Sequence, residues 1–162
     1  MESLKKILFV CTGNMVRSPF AEVLAQRTFE ERCLQDYICD SAGTGALQGN
    51  PAVKDAILAA KQLAVDLSQH RSKPLTEELL EKSHLVLVME KYQKNQIEAS
   101  YPKYRDKIHL LSECLVGEKG GFDILDPVGH KSEYFQSVYS EITRAVMSLA
   151  ERLESDDGLV TT

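Results

Sequence analysis

One short stretch near the N-terminus constrains the fold most. Ile7-Leu8-Phe9-Val10 reads as a buried strand, and it runs straight into Cys11-Thr12-Gly13-Asn14-Met15-Val16-Arg17-Ser18-Pro19. Ser18-Pro19 predicts a helix start, with Ser18 as N-cap and Pro19 at the first helical position. A helix that opens after a tight loop presents unpaired N–H groups and the positive end of its dipole, which is an anion site. Gly13 and Asn14 suit a backbone that takes positive φ to aim such amides inward.

The same stretch carries a nucleophile. A free cysteine is mostly thiol at neutral pH, and a helix N-terminus or a nearby cation favours the thiolate. With Cys11 on the floor and Arg17 at the lip, the thiolate can attack phosphorus and divide one difficult displacement into two. The Arg17 fork is suited to two phosphoryl oxygens, and the amides of Thr12 to Ser18 to the rest. Either residue alone is unremarkable: a lone cysteine at a strand end is usually a small buried hydrophobe. Cysteine, five residues, arginine and Ser-Pro between a strand and a helix form a far rarer conjunction.

The remaining chain alternates strand and helix. A helix is predicted from Ser18 to about Cys33, a strand over Tyr37 to Ser41, and a helix opened by Pro51 with Val53, Ala56, Ile57 and Ala60 on one face. Thr76 caps a shorter helix through Glu81. Leu85-Val86-Leu87-Val88-Met89 is the unbroken apolar run of a strand buried on both faces. A helix over Tyr92 to Ser100, a strand near Ile108 to Leu111 and a long C-terminal helix follow. Phe135, Val138, Tyr139, Ile142, Val146, Leu149 and Leu153 make the apolar stripe of that last helix. The pattern predicts an α/β fold, a four-stranded parallel sheet with helices on both faces. Ligands of such sheets bind outside the carboxyl ends of the strands, where Cys11 falls.

At 162 residues and 43% apolar, the chain suits a single domain, expected over residues 1–154 with a polar tail at 155–162. Its net charge of −5 argues against nucleic acid as a partner. No segment reads as a membrane span or leader. Cys11, Cys33, Cys39 and Cys114 have no metal-ligand spacing, so neither metal nor cofactor is expected, and a reduced, cytoplasmic monomer is.

A second chemical segment is Phe122-Asp123-Ile124-Leu125-Asp126-Pro127-Val128-Gly129-His130. Expelling an alkoxide or phenoxide needs a proton donor, and the same carboxyl, once ionised, can activate water. The proline after Asp126 stiffens its backbone, which makes it a sound mount for a general acid. Asp123 is a rival three residues earlier.

Taken together, the segments resemble the low-molecular-weight protein tyrosine phosphatases, in the manner of a bacterial member, over roughly residues 5–150. The Cys11-to-Ser18 loop, Ser41-Ala42-Gly43-Thr44, His70 before Leu75-Thr76, and Asp126-Pro127 all fall where that family has counterparts. The resemblance implies phosphoprotein hydrolysis through a phosphocysteine. It favours Asp126 over Asp123 as the acid, and gives Asn14, Ser18, Ser41 and His70 the task of fixing the loop. Without it, Ser41 is a strand-end turn residue and His70 a surface histidine.

The departures are informative. Val16 stands where many members carry a second cysteine able to trap an oxidised nucleophile. Leu47 and Val128 replace aromatic pocket walls of the animal enzymes. A bacterial branch removes phosphate from arginine and has threonine at the place of Met15, where tyrosine-specific members usually have isoleucine. Bulky, apolar Met15 leans to the tyrosine side, with protein-arginine phosphatase as the alternative. A thioredoxin-coupled arsenate reductase would need further cysteines within Glu81 to Tyr92, and none is there. A phosphocarrier subunit has no use for an acid such as Asp126, and a phosphoprotein-binding relic would have lost one of the three reactive groups.

Overall fold

A computed structural model describes residues 3–115 and 121–155. The polar tail expected from 155 onward lies outside the described residues after Ser155. Four strands, β1 (Lys5–Cys11), β2 (Tyr37–Gly43), β3 (Leu85–Val88) and β4 (Ile108–Leu110), form one sheet in the order β2-β1-β3-β4, every pair parallel. The helices are α1 (Arg17–Glu31), α2 (Lys54–Gln62), α3 (Glu77–Lys82), α4 (Lys91–Ser100) and α5 (Ser132–Glu154). No helix among the described residues is long and apolar enough to cross a membrane.

The unbroken apolar run of the strands is explained by the two layers that cover them. Odd-numbered Ile7, Phe9, Leu85 and Leu87 join the core formed with α1, α2 and α5. Even-numbered Leu8, Val10, Val86 and Val88 join a smaller core with Leu80 of α3 and Ile97 of α4. The predicted α/β architecture is the observed one. Strand order reverses at β1, so the crevice beyond the carboxyl ends of β1 and β3 is the switch point of the sheet.

Two local expectations at the first helix are corrected. Ser18 is not the N-cap: Arg17 is already helical, and Val16 takes the cap position without a side-chain bond. Pro19 has no N–H to give the Met15 carbonyl, so Val16, four residues before Phe20, is the first carbonyl able to open the ladder. Ser18 is thereby freed for another task. Asn14 does adopt positive φ, at 54°, whereas Gly13 does not. Asparagine tolerates this conformation because its side chain can bond locally. Boundaries elsewhere move by a few residues, as at α2, which opens at Lys54 rather than Pro51. Thr76 caps α3 as expected, its hydroxyl accepting from the Leu79 N–H at 3.2 Å.

Candidate functional site

Residues 11–18 make a loop whose carbonyl groups are drawn outward. The Thr44 and Gly45 N–H groups donate to the carbonyls of Cys11 and Thr12, both at 3.0 Å. His70 Nε2 donates to the Asn14 carbonyl at 2.6 Å, the Val53 N–H to that of Met15 at 3.2 Å, and the Tyr139 hydroxyl to that of Val16 at 2.9 Å. In a planar trans peptide the next N–H points opposite to the carbonyl. Five outward carbonyls therefore turn the N–H groups of Thr12, Gly13, Met15, Val16 and Arg17 inward. The enclosed cleft, about 230 Å³, is lined by Cys11, Gly13, Met15, Val16, Arg17, Val53, Asp126 and Val128.

Cys11 is buried at the base. The Asn14 N–H points to its Sγ at 3.3 Å, and Ser18 Oγ lies 3.0 Å away. Asn14, itself fully buried, sets the direction of that second contact. Its Nδ2 donates to Ser18 Oγ at 2.8 Å and to Ser41 Oγ at 2.9 Å. With that oxygen accepting, the Ser18 proton is left for the sulfur; the Ala42 carbonyl is a longer choice at 3.5 Å. Ser41 passes its own proton to Glu22 Oε1 at 2.5 Å. The Lys73 N–H completes the set by donating to Asn14 Oδ1 at 3.0 Å. Asn14, Ser18, Ser41 and His70 are thus brought together around the loop. Burial lowers the pKa of His70 below its ordinary value, so the neutral form carrying hydrogen on Nε2 is favoured.

Arg17 is only 2% exposed. Its Nη1 donates to Glu90 Oε2 at 2.8 Å and to the Ile124 carbonyl at 2.7 Å, which occupies both protons of that nitrogen. The Nε–Nη2 edge has no protein partner among the described residues and is left for an oxyanion. Glu90 compensates the buried charge, as an isolated guanidinium would be costly there. The Glu90 carbonyl accepts from the Gln93 and Lys94 N–H groups at the start of α4, while Gln93 Oε1 accepts from the Met89 and Glu90 N–H groups. Gln93 Nε2 then reaches Thr12 Oγ1 at 3.0 Å, beside the Tyr92 hydroxyl. The α4 N-terminus therefore braces both ends of the loop.

Asp126 and Asp123, alike in sequence, part company in space. Asp126 stands in the cleft wall, its Oδ1 accepting from the Val128 N–H at 3.0 Å. Asp123 Oδ1 accepts from the Lys91 N–H at 2.8 Å, at the start of α4 and outside the cleft lining. Val128 lines the cleft and is 53% exposed, but Leu47, the other expected wall, does not line it and is 72% exposed. Val53 stands in the wall, where the helical pattern had marked it as core.

Several contributors escaped the sequence reading. Glu90, Tyr92 and Gln93 are distant in sequence and carry no pattern beyond Glu90-x-x-Gln93 spacing at a helix start. Gly43 is a further case. A Cβ there would lie 2.4 Å from the Thr12 carbonyl oxygen and 3.0 Å from the Asn14 N–H nitrogen, so β2 must end in glycine for the loop to close over it. Gly13 is the reverse. A Cβ there meets nothing within 4 Å, and the residue lines the cleft.

The low molecular weight phosphotyrosine protein phosphatase model matches residues 6–158. A protein-arginine-phosphatase of Bacillus subtilis (strain 168) is 37% identical, covering 93% of this chain and 97% of its own. A probable low molecular weight protein-tyrosine-phosphatase, EpsP of Ralstonia solanacearum, is 35% identical over 94% and 98%. Among solved structures, a YwlE arginine phosphatase mutant with a phosphorylated active site serine superposes with a TM-score of 0.87 at 36% identity, covering 96% and 99%.

Proposed function

The chain belongs to the low molecular weight phosphotyrosine protein phosphatase family, and from that premise we propose that it removes phosphate from protein phosphotyrosine with Cys11 as nucleophile. The observation that carries the reading is the cleft itself, in which Cys11, inward amides, Arg17 and Asp126 line one space. The Cys11 thiolate attacks phosphorus, forming the S–P bond as the ester P–O bond breaks. The Ser18 hydroxyl steadies the thiolate beforehand, and the amides with the free Arg17 edge hold the equatorial oxygens. Asp126 gives its proton to the departing oxygen. It then takes one from the water that attacks the phosphocysteine, which frees phosphate and Cys11. No step calls for a cofactor.

The walls support an aryl substrate. Met15, Val53 and Val128 offer apolar surface to a flat ring. A phosphorylated guanidine brings several N–H groups, and the side chains lining the cleft include one carboxylate, Asp126, to receive them. The arginine reading keeps its place as the second one because the arginine-phosphatase relative matches this chain as well as the tyrosine-phosphatase one does. Composition and four free thiols also support a cytoplasmic monomer with one phosphatase domain over residues 1–154.

The test compares kcat/KM on matched phosphotyrosine and phosphoarginine peptides, with Cys11→Ser as the blank. A clear phosphotyrosine preference is expected. A phosphoarginine preference would replace the leading reading with the second. Turnover by Cys11→Ser equal to the native protein's would overturn both.

A further inference from the structure

Tyr139 lies on α5, far along the chain from residues 11–18, and the mechanism gives it no part. Its periodicity marks it as core, and its ring does stack on Phe20 of α1 at 3.9 Å with planes 4° apart. Yet the side chain is fully buried with a polar end, and that end is aimed at the loop. The hydroxyl donates to the Val16 carbonyl at 2.9 Å. Burial, and secondarily the neighbouring Cys11, pushes the phenol above its ordinary pKa, so it keeps its proton through the working range.

The Val16–Arg17 peptide is where the loop turns into α1. Val16 is the cap residue, has no side-chain cap bond and has φ of −133° and ψ of −70°. Its carbonyl opens the helical ladder, and its second lone pair is what Tyr139 engages. Across the same rigid plane sits the Arg17 N–H, which faces the cleft. The other outward carbonyls are held by β2-loop amides, Val53 and His70, all from chain segments between β2 and α3. Tyr139 is the tie from α5.

We propose that Tyr139 is a positioning residue of the phosphate cradle: its hydroxyl fixes the Val16–Arg17 peptide and so aims the Arg17 N–H at the phosphoryl group. The inference rests on the reading of residues 11–18 as an oxyanion cradle, and it holds for either substrate. A fixed donor acts most strongly where charge develops, so its loss weighs more on the transition state than on bound substrate.

The experiment uses the full chain with Tyr139→Phe, which keeps the stack on Phe20, and Phe20→Leu, which loosens the stack and keeps the hydroxyl. Vanadate inhibition, kcat and KM are read on p-nitrophenyl phosphate, and inorganic phosphate binding is measured by calorimetry in a Cys11→Ser background. Tyr139→Phe is expected to weaken vanadate roughly tenfold and lower kcat by a similar factor, with KM and phosphate affinity changing about threefold or less. Phe20→Leu is expected to lower Tm while vanadate affinity stays within about twofold. Unchanged vanadate affinity in Tyr139→Phe would overturn the proposal, as would an equal loss in Phe20→Leu, which would assign the effect to ring packing. Phosphate binding by Cys11→Ser separates the two claims: where no substrate turns over, a Cys11→Ser protein that still binds phosphate keeps the cradle, and vanadate binding to Tyr139→Phe, read by calorimetry, then decides the positioning role.

Discussion

The two segments that meet in the cleft are built in opposite ways. Residues 11–18 are mostly buried, and five of their carbonyls plus the Asn14 side chain are tied to four separate parts of the chain. Residues 123–130 are mostly exposed, and Asp126 itself keeps one bond, to the Val128 N–H two residues on. Ile124 and Pro127 are the buried exceptions, and Ile124 is the hydrogen-bonded anchor. It is fully buried, its N–H donates to the Met89 carbonyl at 2.9 Å and its own carbonyl receives Arg17. The contrast follows from the chemistry. Charge on the phosphoryl oxygens develops at fixed positions, so its donors gain from rigidity. On the proposed reading the acid must meet leaving groups of different shape and then a water, so it gains from a short tether on a buried anchor.

The largest test of the rigid side is oxidation. A sulfenate at Cys11 needs a second thiol within disulfide reach to be rescued, and the fold supplies none. Val16 occupies the nearby loop position. Cys39 pairs with Ile7 while Cys11 pairs with Gly43, which puts Cys39 roughly 13 Å back along β2. Cys33 follows the far end of α1, a helix roughly 22 Å long. Cys114 packs beside Arg152, some 20 Å along α5 from Tyr139, and burial pushes its thiol up to about 12. Prolonged peroxide is therefore expected to abolish activity with sulfinate at Cys11 by mass spectrometry. Full recovery in dithiothreitol would show that a thiol reaches it after all.

Next in size is the exposed side. Asp126→Asn is expected to slow hydrolysis of phenyl phosphate by about 10²–10³, and that of p-nitrophenyl phosphate by far less, since its leaving group needs little help. Asp123→Asn is expected to change either rate by less than about threefold and to cost about 0.5–1 kcal/mol of stability through the start of α4. Equal slowing of both substrates by Asp126→Asn would remove it as the acid.

Much of this was legible in the sequence, and the parts that were not share a cause. The strand runs, the Cys11–Arg17 spacing and the Asp126-Pro127 dipeptide are local patterns, and the fold forms those strands and brings Cys11, Arg17 and Asp126 to one cleft. Ser18 carried two expectations: the cap read from its residue type is corrected, while its place in the loop came from the resemblance, and only the three-dimensional course of Asn14 turns its hydroxyl to sulfur. Glu90 and Gln93 act across the switch point of the sheet and Gly43 from the β2 side of the loop, through spacing that no local period records. Leu47 was expected from a match of position alone, and the structure leaves it exposed and outside the cleft lining.

Asn14→Ala sharpens the claim that rigidity matters more than any single contact. The variant would lose the bonds to Ser18, Ser41 and Lys73 and would keep a φ of 54° that alanine disfavours. Unpaired buried groups cost about 1–3 kcal/mol and the backbone about 1–2 kcal/mol more. Tm is expected to fall by roughly 4–15 °C, and kcat/KM by about 10- to 100-fold. A Tm loss of that size with unchanged kcat/KM would mean that the loop holds its shape without Asn14.

The smallest expected effect lies at His70, where the rigid loop meets solvent. Burial lowers its pKa, with repulsion from Lys73 and Arg71 adding to the shift and the bond to the Asn14 carbonyl opposing it. A histidine whose folded pKa lies below its unfolded value binds more protons when unfolded, so stability rises with pH across that interval. Its contribution is complete above the ordinary value near ~6.5 and fades as pH falls through the folded one. Wild-type Tm is thus expected to drop more steeply than that of His70→Gln between about pH 6.5 and 5, by a few degrees at most, since the ring is half-buried. A glutamine at 70 can still donate to the Asn14 carbonyl but cannot titrate, so the difference between the two melting curves isolates the proton. Parallel curves would mean that His70 binds its proton equally well in the folded and the unfolded chain, and that burial does not penalise the imidazolium there.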